Sequence, residues 1–281
     1  MACLSLSVVA ADGTVRHEAQ GADEVTLGWR GAYEPGDRLV LACDEDPARL
    51  VVKLDECLAE SHVLLVGGRL EFPVPVDAPE QVAYGKRRAF ADERHWAFAR
   101  MEDARERGAW RNLTLNSHDL KLGEGELLVG GTPWGGLPKP VLFPHASTNV
   151  VCDNPQFFAR NAIDGVFETF SHGSWPHESW GVAGNPEAWL RVDFGQVVEA
   201  DELRLYLRAD FPHDTWWRQA SIELSSGEDL PLELARTGAR QTFDLGGRHV
   251  EWVRLHGLVK ADEDGFPGLS QLQVWGRALE G

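Results

Sequence analysis

Two short segments carry side chains suited to recognising a polar ligand with an apolar face. The candidate binding residues are His172, Trp175, His177 and Trp180 in segment 171–180, and Arg208, Asp210, His213, Trp216 and Trp217 in segment 208–217. Sugar recognition needs an aromatic face for the C–H side of the ring and His, Arg or Asp groups to fix the hydroxyls. Both segments contain that mixture. The alternative is that some of these Trp residues close the ends of a β-sandwich as core residues.

The same His residues allow two other kinds of chemistry. His172, His177 and His213, with Asp210 or Glu178, would supply acid and base groups to a sugar-active lyase, isomerase or hydrolase. Pro-His dipeptides at 144–145, 176–177 and 212–213 would bind zinc if their loops converged. The chain contains no G-x-S-x-G, no HExxH and no phosphate-binding glycine loop. We therefore favour a non-catalytic binding role over an enzyme.

Period-2 alternation of apolar and polar residues predicts the elements that position these loops. Leu203, Leu205 and Leu207 share one face of DELRLYLR, and Ile222 and Leu224 share one face of ASIELSSG. Turn signals separate such segments throughout the chain. Helical candidates are short, at ADERHWAFARMEDARERG and DNPQFFARNAIDG, and HWAFARM within the first also reads as a strand. The pattern predicts an all-β protein built of antiparallel β-sandwich domains.

Composition shifts divide the chain into three parts. We expect an N-terminal sandwich at residues 1–115, a Gly- and Pro-rich connector at 116–140, and a second sandwich at 141–281. For the strands of the second sandwich, core or face packing is the expected role of Trp189, Trp252 and Trp275. Pro73 and Pro75 place their strand at a sheet edge.

Charge and cysteine content limit the partners and the compartment. The 281-residue chain has a formal net charge of −17, and both halves are acidic. Nucleic acids and anionic membranes are therefore disfavoured partners, because each requires a basic face. Cys3, Cys43, Cys57 and Cys152 lack the spacing of a zinc or disulfide framework, so we expect free thiols. The opening residues lack the basic start of a secretion signal, which favours the cytoplasm, although a chain trimmed of its signal would look the same.

Two motifs in the second half resemble the discoidin or factor V/VIII type C superfamily, and within it the family-32 carbohydrate-binding modules. The matching residues are Ala159, Ala162, Ile163, Asp164, Gly165, Thr169 and Phe170, followed by Trp189, Leu190, Val192, Asp193, Phe194 and Gly195. The resemblance covers residues 141–281 and implies a galactose-binding-like jelly roll with a sugar held by loops at one end. We expect a similar sandwich for residues 1–115, which carry no comparable motif.

The resemblance also implies a structural calcium ion. By position, its ligands would be the Asp164 carboxylate, the carbonyls of Asn161, Val166 and Ser270, the carbonyl or hydroxyl of Thr169, and the side chain of Gln271. The family usually has Glu at the last place, and Gln removes one negative charge, which weakens cation binding. The alternative is a turn closed by hydrogen bonds of Asp164 without a metal.

The leading hypothesis is a non-catalytic carbohydrate-binding protein that recognises a neutral sugar at loops of the second sandwich. An enzyme with a His and carboxylate site between the domains is the first alternative, and a protein–protein interaction scaffold is the second. Fold alone does not separate them.

Overall fold

The computed structural model describes residues 1–85, 89–91, 93–120, 142–209, 215–263 and 265–279. Its strands are β1 (Cys3–Val9), β2 (Val15–Ala22), β3 (Glu24–Arg30), β4 (Arg38–Cys43), β5 (Ala48–Lys53), β6 (Ser61–Leu65), β7 (Arg69–Pro73), β8 (Arg94–Met101), β9 (Arg111–Asn112), β10 (Leu142–Phe143), β11 (His145–Thr148), β12 (Trp180–Gly181), β13 (Leu190–Leu207), β14 (Trp217–Leu224), β15 (Asp229–Glu233), β16 (Gln241–Lys260) and β17 (Gly268–Ala278). All the pairings between them are antiparallel. The all-β prediction is confirmed.

The first sandwich consists of two sheets that face each other across one apolar core. One sheet has the order β2-β1-β4-β7, and the other has the order β10-β6-β5-β8-β3. Alternating residues such as Leu4, Leu6 and Val8 of β1 point into this core. The strand that ends at Pro73 lies at a sheet edge, as the missing amide of proline predicts.

The second sandwich is built from one eight-stranded sheet that includes two long strands. Its main order is β12-β17-β13-β16-β14-β15, with β11 paired to β13 and β9 paired to β17. The pairing of β13 with β16 shifts register between Asp193 and Val198 and again between Ala200 and Glu202. Such irregularities bend a strand, so that one long strand can serve both faces of the sandwich. The predicted inward residues Leu203, Leu205 and Leu207 are buried in its core.

Helical structure among the described residues is limited to short pieces. The first helical candidate contains strand β8, because its alternating His95, Ala97 and Ala99 are buried against the sheet. A single-turn helix α1 (Ala104–Arg107) follows, begun by a capping box between Asp103 and Glu106. The second candidate forms two 3-10 turns, Pro155–Phe157 and Ala159–Ala162, and a third such turn spans Pro79–Ala83.

The two sandwiches exchange strands where they meet. Strand β9 pairs with β17 of the second sandwich, whereas β10 pairs with β6 of the first. Residues that lie between β9 and β10 in the chain bind the first sandwich. The Leu54 amide donates to Nε2 of buried His118 (3.1 Å), and the Ala59 amide donates to Oγ of Ser117 (3.0 Å). Only residues 116–120 of the expected connector belong to the described part of the chain, and they are packed into this junction.

The structure also describes the four thiols and the helices. None of the four cysteines, all of which the structure describes, forms a disulfide; Cys43 is buried and Cys3 is exposed. Across the described residues, none of the helices has the length and apolar character that a membrane crossing requires.

Candidate functional site

The two predicted loops meet at one end of the second sandwich. Arg208 directly follows β13, and Ser179 directly precedes β12; both strands flank β17. The Arg208 guanidinium crosses the start of β17, and its Nη1 donates to Oγ of Ser179 at 3.2 Å. Both residues are buried. Segment 171–180 and the start of segment 208–217 are therefore joined by a side-chain hydrogen bond inside the protein.

Gly268 makes this crossing possible. A Cβ atom at this position would lie 3.1 Å from Oγ of Ser179 and 3.4 Å from Cζ of Arg208. The Arg208 amide also donates to the carbonyl of Gly268 at 2.9 Å, so the backbone is held at the same point. An added Cβ would therefore crowd this hydrogen bond, and the Ser179 side chain would have to shift by a few tenths of an ångström.

Two of the candidate Trp residues belong to the core. Trp180 and Trp217 are 0% and 1% exposed, and their ring centroids are 6.0 Å apart. Neither ring offers a face to a ligand from solvent, so the alternative role as core residues applies to both. They nevertheless place one buried aromatic ring from each loop side by side, which holds the two loops together.

Trp175 lies instead where segment 171–180 contacts the first sandwich. Its amide donates to the carbonyl of Val82 at 2.8 Å, and its ring is so close to Gly85 that a Cβ there would lie 3.1 Å from Cε3. The half-buried ring borders a pocket of about 270 Å³, partly open to solvent, which Tyr84, Arg160 and Asp164 also line. This pocket combines aromatic, cationic and acidic side chains from both sandwiches.

The remaining candidates differ in exposure where the structure describes them. His172 is exposed, and His177 and Trp216 are half-buried. The Trp216 ring lies 5.2 Å from the Arg236 guanidinium carbon, and Nδ1 of His177 is buried without a hydrogen-bond partner among the described residues. Asp210 and His213 lie outside the described residues.

Glu178 is a buried carboxyl group in the same segment. Its side chain is 1% exposed, and within the described structure neither oxygen has a hydrogen-bond partner. Burial raises the pKa of Glu178 above its usual value of 4.5, and the nearby Asp164 raises it further, while Arg160 acts in the opposite direction. The folded protein therefore favours the neutral, protonated form of Glu178.

His145 of the first Pro-His dipeptide has a structural partner. It is buried, and its Nδ1 lies 2.7 Å from Oδ1 of Asp119. Burial alone favours the neutral ring, but the Asp119 carboxylate outweighs it and raises the pKa of His145. Among the described residues, no group of three or more His, Cys, Asp or Glu side chains is arranged to hold a metal ion.

The oxygens expected to bind calcium surround the side-chain nitrogen of Gln271. Nε2 lies 2.8 Å from the Asn161 carbonyl, 2.8 Å from Oδ1 of Asp164, 3.0 Å from the Val166 carbonyl and 2.7 Å from the Ser270 carbonyl. These four oxygens converge as the resemblance implies. The half-buried Thr169 follows Asp164 closely in the chain, and its place in this set stays a prediction.

The orientation of the Gln271 amide does not fit a bound calcium ion. The Gly165 amide donates to Oε1 of Gln271 at 3.1 Å, which turns Nε2 toward the four oxygens. Turning the amide over would set two N–H groups against each other at Gly165. The neutral N–H donor thus fills the position between oxygens that a cation would take.

We predict that Gln271→Glu creates a calcium response that the natural protein lacks. A carboxylate among four oxygens is repelled without a cation, so the melting temperature should fall in EDTA and recover in millimolar calcium. Differential scanning fluorimetry in both buffers measures this. Adding Asp164→Asn to the variant should weaken the recovery. A calcium-dependent rise in the unmodified protein, equal to that of the variant, would contradict the assignment.

Sequence reasoning missed Tyr84 and the contact it makes. The Arg160 guanidinium carbon lies 4.2 Å from the centroid of the Tyr84 ring, which joins the two sandwiches beside Trp175. Arg160 lies within the ARNAIDG motif, but Tyr84 belongs to a half of the chain that carries no diagnostic motif. No local pattern marks a contact between residues 76 positions apart in the sequence.

Similarity to known proteins is limited to solved structures. No protein-family model matches the chain, and no curated protein matches it. Chitosan-binding module 1 from a chitosanase/glucanase of Paenibacillus sp. IK-5 is 19% identical with a TM-score of 0.38, covering 59% of this chain and 99% of the module. The family-32 module of NanJ from C. perfringens, solved with galactose, is 16% identical with a TM-score of 0.36, covering 46% and 91%.

A Streptococcus pneumoniae fucose-binding module is 18% identical with a TM-score of 0.35, covering 47% of this chain and 93% of the module. Family-32 and other galactose-binding-like carbohydrate-binding modules are thus the structures to which about half of this chain is similar. At these identities and TM-scores, no function follows from the similarity.

Proposed function

We propose that this protein binds a neutral carbohydrate, without transforming it, at the end of the second sandwich where segments 171–180 and 208–217 meet. The observation that carries the proposal is the hydrogen bond from Arg208 to Ser179, which joins two segments rich in aromatic and imidazole groups. Their convergence supports a single site rather than two unrelated surface loops. The motifs shared with family-32 modules support the same class of ligand.

The accessible side chains offer two kinds of contact to a sugar, aromatic packing and hydrogen bonds. Trp175 is half-buried on the side of segment 171–180 that faces the first sandwich. It borders an open pocket, so part of its ring can pack against the C–H face of a sugar that also reaches segment 208–217. His172 and His177 supply imidazole groups that can donate to or accept from hydroxyls. Buried Arg208 fixes the spacing of the two segments.

The electrostatics and the shape of the site limit the ligand further. A net charge of −17 repels polyanions, which favours a neutral or cationic sugar over a sulfated or uronic polymer. The pocket beside Trp175 is small and partly open, so the ligand buries little surface. We therefore expect modest affinity that rises with the number of sugar units contacted.

We predict that Trp175→Ala weakens binding of the sugar about tenfold, because one aromatic stacking contact contributes roughly 1–1.5 kcal/mol. A screen of neutral mono- and oligosaccharides identifies the ligand, and isothermal titration calorimetry measures the affinity. Trp96→Ala is the matched control, since Trp96 is 43% exposed on the first sandwich. Equal binding by both variants would place the sugar elsewhere.

A further inference from the structure

A second pocket lies between the two sandwiches and shares no residue with the proposed sugar site. Together with the open solvent at its mouth, the space that it outlines is about 360 Å³, of which only a small part is enclosed. Its apolar wall includes Val63 of β6, Leu113, Phe143 of β10, and Phe194 and Val198 of β13. Its polar lining includes Arg49, His62, Glu102, Arg111 and Gln196. An apolar wall around a few convergent polar groups is the usual composition of a small-molecule site.

Glu102 is the carboxylate of this lining, and it is already hydrogen-bonded to side chains of the protein. It is 4% exposed, and its Oε1 accepts hydrogen bonds from Arg111 Nη2 at 2.6 Å and His62 Nδ1 at 2.8 Å. Arg107 donates from Nη2 to the Glu102 backbone carbonyl at 3.3 Å. Burial alone would raise the pKa of Glu102, but His62 and Arg111 outweigh it and lower the pKa, so this carboxylate is ionised.

The guanidinium groups outnumber the carboxylate. Burial, followed by the charge of Arg107, lowers the pKa of Arg49, and the charge of Arg111 acts in the same direction. Nη1 of Arg49, Nε of Arg107 and Nε of Arg111 are buried and have no acceptor in the described part of the chain. Arg49 and Arg111 line the pocket beside one lining carboxylate, Glu102, in a protein whose overall charge is −17. The Glu106 carboxylate also acts on Arg111, but it is paired with Arg100.

Buried N–H donors without acceptors are costly, and a charged donor more so. An anion entering the pocket would supply the missing acceptors and offset the excess positive charge. The apolar wall strengthens that attraction, because it keeps the local dielectric constant below that of water. The planar guanidinium group of Arg49 matches the paired oxygens of a carboxylate or phosphate. Both terminal nitrogens of Arg111 already donate, to Glu102 and to the Glu106 carbonyl, so Arg111 offers its Nε.

We propose that this pocket between the sandwiches binds a small molecule through an oxyanion, a carboxylate or phosphate group, held by Arg49 and Arg111. His62 and Gln196 line the same space and are placed to contact the uncharged part of the ligand. Because residues of both sandwiches form the lining, the bound anion also holds the sandwiches together. The proposal does not depend on sugar binding.

Inorganic phosphate and acetate serve as the probes, each titrated calorimetrically into the full chain at constant ionic strength set with sodium chloride. We expect saturable binding of at least one probe at a single site. Arg49→Gln should weaken it at least tenfold, since it removes a charged donor. Arg248→Gln is the matched control: Arg248 pairs with Glu228 at the surface and should bind as the unmodified protein does.

Glu102→Gln provides an independent readout, because removing the competing carboxylate should tighten anion binding. Binding of phosphate alone assigns a phosphate ligand, and binding of acetate alone assigns a carboxylate. Absence of saturable binding for both probes in the unmodified protein overturns the proposal. Equal weakening by Arg49→Gln and Arg248→Gln also overturns it, since that result reflects net charge alone. Neither outcome bears on the Trp175 experiment.

Discussion

Replacing Trp180 by alanine is expected to lower the free energy of unfolding by about 3–5 kcal/mol. Trp180 is fully buried at the start of β12 and packs 6.0 Å from Trp217 between ring centroids. Removing the indole leaves a large cavity next to a second large ring, and β12 has only two residues with which to adjust. Chemical denaturation followed by far-ultraviolet circular dichroism measures the loss.

Trp96→Ala is again the control, because the exposed indole contributes little burial and should cost less than about 1.5 kcal/mol. The comparison separates the cost of removing a buried indole from the cost of removing an exposed one. Losses of equal size in the two variants would contradict the core position of Trp180. Trp217→Ala should resemble Trp180→Ala, so a loss of sugar binding in either variant would reflect unfolding rather than a lost contact.

Replacing Glu178 by glutamine is expected to stabilise the protein, most strongly at alkaline pH. The pKa of buried Glu178 is raised in the folded state, so the folded protein holds a proton that the unfolded chain has released. Stability should therefore be greatest below the unfolded pKa of about 4.5 and should fall as the pH rises toward the folded pKa, by up to about 1.4 kcal/mol per pH unit.

Glu178→Gln removes the titrating carboxyl group while keeping a side chain of similar shape. Unfolding free energies of both proteins, measured between pH 5 and pH 9, should diverge as the pH rises, with the variant more stable. Glu251→Gln, at an exposed position of β16, is the control and should leave the slope unchanged. Parallel curves for Glu178→Gln and the unmodified protein would show that Glu178 is ionised in the fold.

The sequence predicted the fold because alternation reports burial directly, and the exceptions have local causes. Ile222 and Leu224 face inward as expected, and regular alternation from them would turn Trp216 inward. Register shifts in the pairing of β14 with β16, on either side of Gln219, turn Trp217 inward instead. An irregularity of this kind leaves no signal in a single sequence. The sequence therefore could not show that Trp217 is buried and Trp216 is accessible.

The candidate site was predictable in part for the same reason. The alternation located the strand that ends at Leu207 and so placed the start of segment 208–217, but it gave no sign of the two-residue strand β12 that follows Ser179. The contact of Trp175 with Gly85 depends instead on how the two sandwiches pack. Likewise, Gln271 was identified as a weakened calcium ligand, but the orientation of its amide is set by the Gly165 amide and not by its own strand.

The most direct test of the proposed sugar site is a titration of the isotopically labelled protein, followed through the NMR signals of the Trp indole N–H groups. With the sugar returned by the screen, the signals of Trp175 and Trp216 should shift progressively and saturate together. The signals of Trp96 and Trp110, which are exposed elsewhere, should stay fixed. Saturating shifts at Trp96 or Trp110, with Trp175 and Trp216 unchanged, would contradict binding where the two segments meet.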